Sequence, residues 1–202
     1  MKDLILLVAD KNMQFALHGA LERPASLGIR PITFEFRSHA GRDGGVRTTG
    51  PELLALERRR FSHALLVMDM EGSGAGGQDA ARLESQLDQR LQDAWGDKGK
   101  AIVIEPELDI WMWGSDNAIQ DVLCWPLEVA IRDWLLNHGF ELGADRKPCR
   151  PKEALEALIP IHRMPRSSAL YRKITGRISL ERCTDKAFVR LRSRLASWFG
   201  YR

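Results

Sequence analysis

Short apolar runs alternate with amphipathic stretches through the first 110 residues. Residues 4–8 form a continuous apolar run of strand length. Residues 12–22 have helical spacing, carried by Phe15, Leu17 and Leu21, and stop before Pro24. Residues 31–36 read as a second strand. Residues 51–60 read as a helix with Pro51 in its first turn. Residues 64–68 are a third strand and 101–104 a fourth. Between them, residues 78–95 carry apolar residues at Ala81, Leu83, Leu87, Leu91 and Trp95 and are polar between them, the pattern of a surface helix. Strands alternating with helices predict an α/β fold with a mostly parallel sheet flanked by helices.

Past residue 107 the strand signals stop. Helices are predicted over 108–113, over 122–137 with a break near Pro126, and over 152–158, 167–174 and 184–199. A loop rich in Gly, Pro and charge covers 139–151. The expected organisation is an α/β core over residues 1–113. A helical part over 114–202 packs on it, because no long flexible linker intervenes.

Composition narrows the class. The chain has 202 residues, 44% of them hydrophobic, which suits one domain of ordinary size and excludes a disordered protein. The longest apolar runs are far shorter than a membrane span, and the amino-terminal run is too short for the core of a signal peptide. Cys124, Cys149 and Cys183 are odd in number and widely spaced, without zinc spacing. Reduced thiols in a cytoplasm are the expectation. The net charge of +3 hides an asymmetry. Residues 1–143 hold 15 basic and 22 acidic side chains, a balance of −7; residues 144–202 hold 15 and 5, a balance of +10. A basic tail, with Arg190, Arg192 and Arg194 on one predicted helix, suits nucleic acid or an acidic partner. It equally suits a helix that packs on its own acidic body.

The candidate chemistry lies at strand ends. The third strand runs into Asp69 and Glu71, and the fourth into Glu105 and Glu107; Asp10 follows the first. Open α/β sheets place their ligands at the carboxyl ends of strands. Converging carboxylates there would bind Mg²⁺ or Mn²⁺, and a metal-bound water attacks phosphodiesters. The plainer reading makes Asp10 a helix cap and Glu107 a first-turn residue favoured by the helix dipole. The turn Gly41-Arg-Asp-Gly-Gly-Val-Arg47 offers Arg42 and Arg47 to a phosphate, or is an ordinary polar loop. Gly72-Ser-Gly-Ala-Gly-Gly77 matches a dinucleotide fingerprint, but Asp69 and Glu71 would repel a pyrophosphate there, and a flexible turn is the better reading. The five histidines lack metal spacing; His39, just before the Gly-Arg turn, is the one of interest. The tryptophans Trp111, Trp113, Trp125, Trp134 and Trp198 read as core or interface.

Together these segments resemble the Toprim-type (Rossmann-like) fold, and more closely the bacterial DUF4276 family. The resemblance rests on Asp43-Gly-Gly-Val46, Val67-Met-Asp69 and Ile104-Glu-Pro-Glu-Leu-Asp-Ile-Trp111. Further matches are Tyr171-Arg-Lys173, Ile178-Ser-Leu180, and Cys183 with Phe188 beyond it. It implies a Mg²⁺-dependent phosphodiesterase or nuclease subunit of a bacterial anti-phage system, of the methylation-associated kind. Asp69, Glu71 and Glu105 would be metal ligands, Asp10 and Glu107 catalytic, and an ATPase or methyltransferase would be the partner. The family places a glutamate directly after the first strand, where this chain has Ala9 and then Asp10. That departure motivates the alternative, a catalytically inactive adaptor that keeps the fold and binds the partner.

Overall fold

The structure, a computed structural model, describes residues 1–126, 128–162 and 167–201; the side chain of His162 lies outside the description. It is α/β. Four parallel strands, β1 (Lys2–Val8), β2 (Phe34–Ser38), β3 (Phe61–Asp69) and β4 (Gly99–Ile104), stand in the order β2-β1-β3-β4. Leu4 to Val8 of β1 are all buried, since both faces of the sheet are covered. Each such leucine or isoleucine contributes about 1.5–3 kcal/mol by leaving water. Val8 pairs with Val67, and Asp69 with Ile104, so the carboxyl ends of the three strands β1, β3 and β4 lie nearly level.

Helices α1 (Lys11–Leu21) and α2 (Pro24–Leu27) follow β1, α3 (Arg42–Ala55) follows β2 and α4 (Ala80–Trp95) follows β3. Helices α3 and α4 lie together against the sheet, while α1 is backed by a helix from the tail. Pro51 does not begin a helix, as its position suggests, but sits inside α3. A proline there leaves the carbonyl four residues earlier without a donor. Arg90 supplies one: its Nη1 donates to the Arg47 carbonyl at 2.6 Å and its Nη2 to that of Thr48 at 2.7 Å. The glycines of α3 lower its propensity but permit its packing. A Cβ on Gly50 would lie 2.8 Å from the Leu66 side chain, and one on Gly45 would lie 2.1 Å from the His39 ring.

The tail forms α5 (Asp109–Met112), α6 (Asp116–Leu123), α7 (Ile131–Asn137), α8 (Pro151–Leu158), α9 (Ser168–Thr175) and α10 (Lys186–Phe199). The stretch expected as one broken helix over 122–137 is two, α6 ending at Leu123 and α7 starting at Ile131. Helix α9 lies along α1, where a Cβ on Gly19 would come within 2.4 Å of the Thr175 hydroxyl. Helix α10 covers β4, an edge strand whose free backbone groups invite pairing with other chains. Side chains answer them: Asp88 accepts from the Ala101 N–H at 2.7 Å, Glu84 from the Val103 N–H at 3.0 Å, and Arg190 donates to the Val103 carbonyl at 3.0 Å. Among the described residues no helix is long and apolar enough to cross a membrane.

Candidate functional site at the carboxyl edge of the sheet

The strand order reverses between β1 and β3, and the crevice beyond their carboxyl ends is where such sheets bind ligands. Asp69, the last residue of β3, stands at its base. Its Oδ1 accepts the Leu108 N–H at 2.9 Å, and its own N–H donates to Asp43 Oδ1 at 2.8 Å. Burial pushes the Asp69 carboxyl well above the usual carboxylate range, reinforced by the charges of Asp43, Asp109, Glu107 and Asp10.

The segment after β4 contributes two more carboxylates. Glu107 is buried, 8% exposed, and its side chain has no hydrogen-bond or ion-pair partner among the described residues. Burial, then Asp109 and Glu71, push it up to about 7 while Lys152 pulls the other way. Asp109, 5% exposed, accepts the Tyr171 hydroxyl at 2.8 Å. Burial raises its carboxyl to about 6 against that hydrogen bond.

The sequence-derived candidates fare differently. Asp69, Glu71, Glu107 and Asp10 share this edge. Asp10 also caps α1, its Oδ1 accepting the Met13 N–H at 2.9 Å, as the plainer reading expects. Glu71 is exposed, and its N–H donates to the Pro106 carbonyl at 3.0 Å. Glu105 turns elsewhere: it is exposed and lines a cleft formed by the first turns of α4 and α10. The Gly-Arg turn is the start of α3. Arg42 is exposed there with φ 49°, a left-handed conformation that costs a non-glycine residue about 1–2 kcal/mol. Arg47 turns inward, its Nε donating to the Ser73 carbonyl at 2.7 Å, which pins the glycine turn after β3. On α10, Arg190 binds Glu84 at 2.8 and 3.0 Å, Arg192 donates to the Leu180 and Glu181 carbonyls, and only Arg194 stays largely in solvent. His39 holds α3, its Nδ1 accepting the Gly41 N–H at 2.9 Å.

Two members of the cluster escaped the sequence reading. Asp43 was hidden among the glycines and arginines of a turn, and Asp109 followed the Glu-Pro-Glu motif by two residues. That i+2 acidic repeat from 105 to 109 is the signal that could have found it. The six carboxylates gather without closing on one point: among the described residues no three acidic, imidazole or thiol side chains are placed to hold a single ion. Compared with protein-family models, with curated proteins and with solved structures, the chain gives no match in any of the three.

Proposed function

We propose that the acidic crevice acts on nucleic-acid phosphodiesters with Mg²⁺ or Mn²⁺, as the phosphodiesterase subunit of a Toprim-like anti-phage component. The observation that carries this is Glu107. Its side chain makes no hydrogen bond among the described residues, its carboxylate reaches solvent, and the neighbouring Asp109 and Glu71 push it up. A set of hard oxygen donors that repel one another suits a divalent cation. Mg²⁺ keeps several waters and needs only one or two carboxylates, so Asp69 together with Glu71 or Glu107 would hold it, without three side chains converging. It would supply the positive charge a phosphodiester needs to approach so many carboxylates. Arg42, exposed beside Asp43, would steady the phosphate.

The test is nicking of supercoiled plasmid by the purified chain with Mg²⁺ or Mn²⁺, beside calorimetric titration of Mg²⁺ alone. Asp69→Ala is expected to lower cleavage by about a hundredfold or more. Absence of both cleavage and saturable Mg²⁺ uptake would sink the proposal. A second reading, the inactive adaptor, draws on Ala9 in place of a glutamate and on the lack of three converging ligands. Under it, Asp69→Ala leaves protection against phage intact in a plaque assay.

A further inference from the structure

The two edges of the sheet are finished differently. At β4, side chains answer the free backbone groups and α10 lies across the strand. At the other edge, among the described residues, no strand pairs with the outer side of β2. The Leu4 N–H donates to the Thr33 carbonyl at 3.0 Å and the His39 N–H to the Val8 carbonyl at 2.9 Å, so residues 33, 35, 37 and 39 turn their backbone toward β1. Phe34, Phe36 and Ser38 between them turn theirs outward. Among the described residues their N–H groups meet no acceptor, and their carbonyls meet one donor, Arg37 Nη1, 3.0 Å from that of Phe36. The strand holds no proline and its register with β1 is unbroken, so neither a proline nor a bulge blunts this edge.

The side chains indicate what fits there. Phe34 and Phe36 are half-buried on the α1 face, where His18 stacks on Phe36. Glu35 and Arg37 stand on the other face with opposite signs. Within one chain they meet each other at 3.1 Å, Glu35 also meets Lys2 and Arg60, and Arg37 also meets Glu57. Laid antiparallel on its own image about Phe36, the strand sets Glu35 opposite Arg37 and Arg37 opposite Glu35. These are the non-hydrogen-bonded positions, where facing side chains come closest. Phe36 then faces Phe36 and Phe34 faces Ser38 at the hydrogen-bonded positions, so each outward N–H finds an outward carbonyl. A slip of two residues in one direction sets Glu35 against Glu35, and in the other Arg37 against Arg37. The charges therefore select one register, and they are complementary to the strand itself.

We propose that β2 is a self-association edge, at which a second copy of this chain pairs antiparallel about a two-fold axis at Phe36 and joins the two sheets into one, four strands from each copy. Arg37 releases the Phe36 carbonyl and turns to Glu35 of the second copy. The chemistry of the crevice plays no part in this. The experiment is light scattering on the full chain over a dilution series, with circular dichroism to confirm that each variant folds. The unaltered chain is expected to form a concentration-dependent dimer. Arg37→Glu sets acid against acid at both cross-strand positions, and Glu35→Lys sets base against base. Each alone is expected to weaken the dimer about tenfold or more. An equal mixture of the two variants is expected to recover it, because each strand then carries the charge that the other lacks. If one single variant fails to fold, the double variant Glu35→Arg with Arg37→Glu takes the place of the mixture: it swaps both charges and is expected to dimerise like the unaltered chain. An unaltered chain that stays monomeric throughout the series overturns the proposal. So does a dimer that a folded single variant leaves intact, or one that neither the mixture nor the double variant recovers.

Discussion

The acidic crevice and the basic tail carry opposite charges and use them in opposite ways. At the crevice, six carboxylates crowd together, and Glu107 makes no hydrogen bond or ion pair among the described residues. Along the tail, cations are matched to the body: Arg190 to Glu84 and Arg172 to Glu22. Part of the balance of −7 against +10 is therefore met by internal pairing. What stands apart from it is local: an excess of negative charge at one sheet edge. Net charge along a chain reports what a fold must neutralise. The residues left over are the ones that point to ligands.

The sharpest way to break this comparison is Arg190→Ala. If Arg190 serves the fold, its removal leaves Glu84 buried against β4 with no cation, and unfolding in urea should show a loss of about 3 kcal/mol. Unchanged stability would return Arg190 to the surface role that its sequence suggests. The crevice predicts the opposite response to removing a charge. The Glu107 carboxyl keeps its proton up to about 7 in the folded chain, against 4.5 for an ordinary glutamate. The folded state is thus penalised progressively as pH rises from about 4.5 to 7, and fully above that. Glu107→Gln should stabilise the fold by roughly 2 kcal/mol at pH 8 and by nothing near pH 4. Thermal melts at the two pH values check this; equal effects at both would mean that charge is not the cause.

The same contrast explains what the sequence could reveal. Four apolar runs at strand spacing are enough for an α/β sheet, because a parallel strand must bury both faces. The acidic residues at 69, 71 and 107 were visible for a related reason, since strand ends mark where ligands sit. Of helix α3 (Arg42–Ala55), only residues 51–55 fell within the helix expected over 51–60, and its first nine residues were not legible. Its glycines and Pro51 oppose a helix locally, and tertiary contacts make it favourable: Val46 and Leu54 are buried, Gly45 and Gly50 lie close against His39 and Leu66, and the distant Arg90 answers the Arg47 carbonyl. Asp43 was lost with it: as part of a loop it has no neighbour, and as the first turn of α3 it accepts the Asp69 N–H. The direction of Glu105 and the engagement of Arg190 were hidden too, because both are set by α10 lying on β4.

Arg194 gives the smallest effect and the closest control. It lies four residues beyond Arg190 on α10, so the two point to one side of the helix. Yet Arg194 is 42% exposed, and its guanidinium is 4.0 Å from Asp88, which is already paired with Lys100 at 3.2 Å. An exposed pair at that distance is weak, because water and salt screen it and an ordered side chain loses rotamer freedom. Arg194→Ala should therefore shift stability by less than about 0.5 kcal/mol in the same urea measurement. Two arginines alike in sequence would then differ severalfold in their effect, for the single reason that one faces a buried carboxylate and the other faces water. A large loss from Arg194→Ala would mean that α10 is held to the sheet by its charge pattern as a whole.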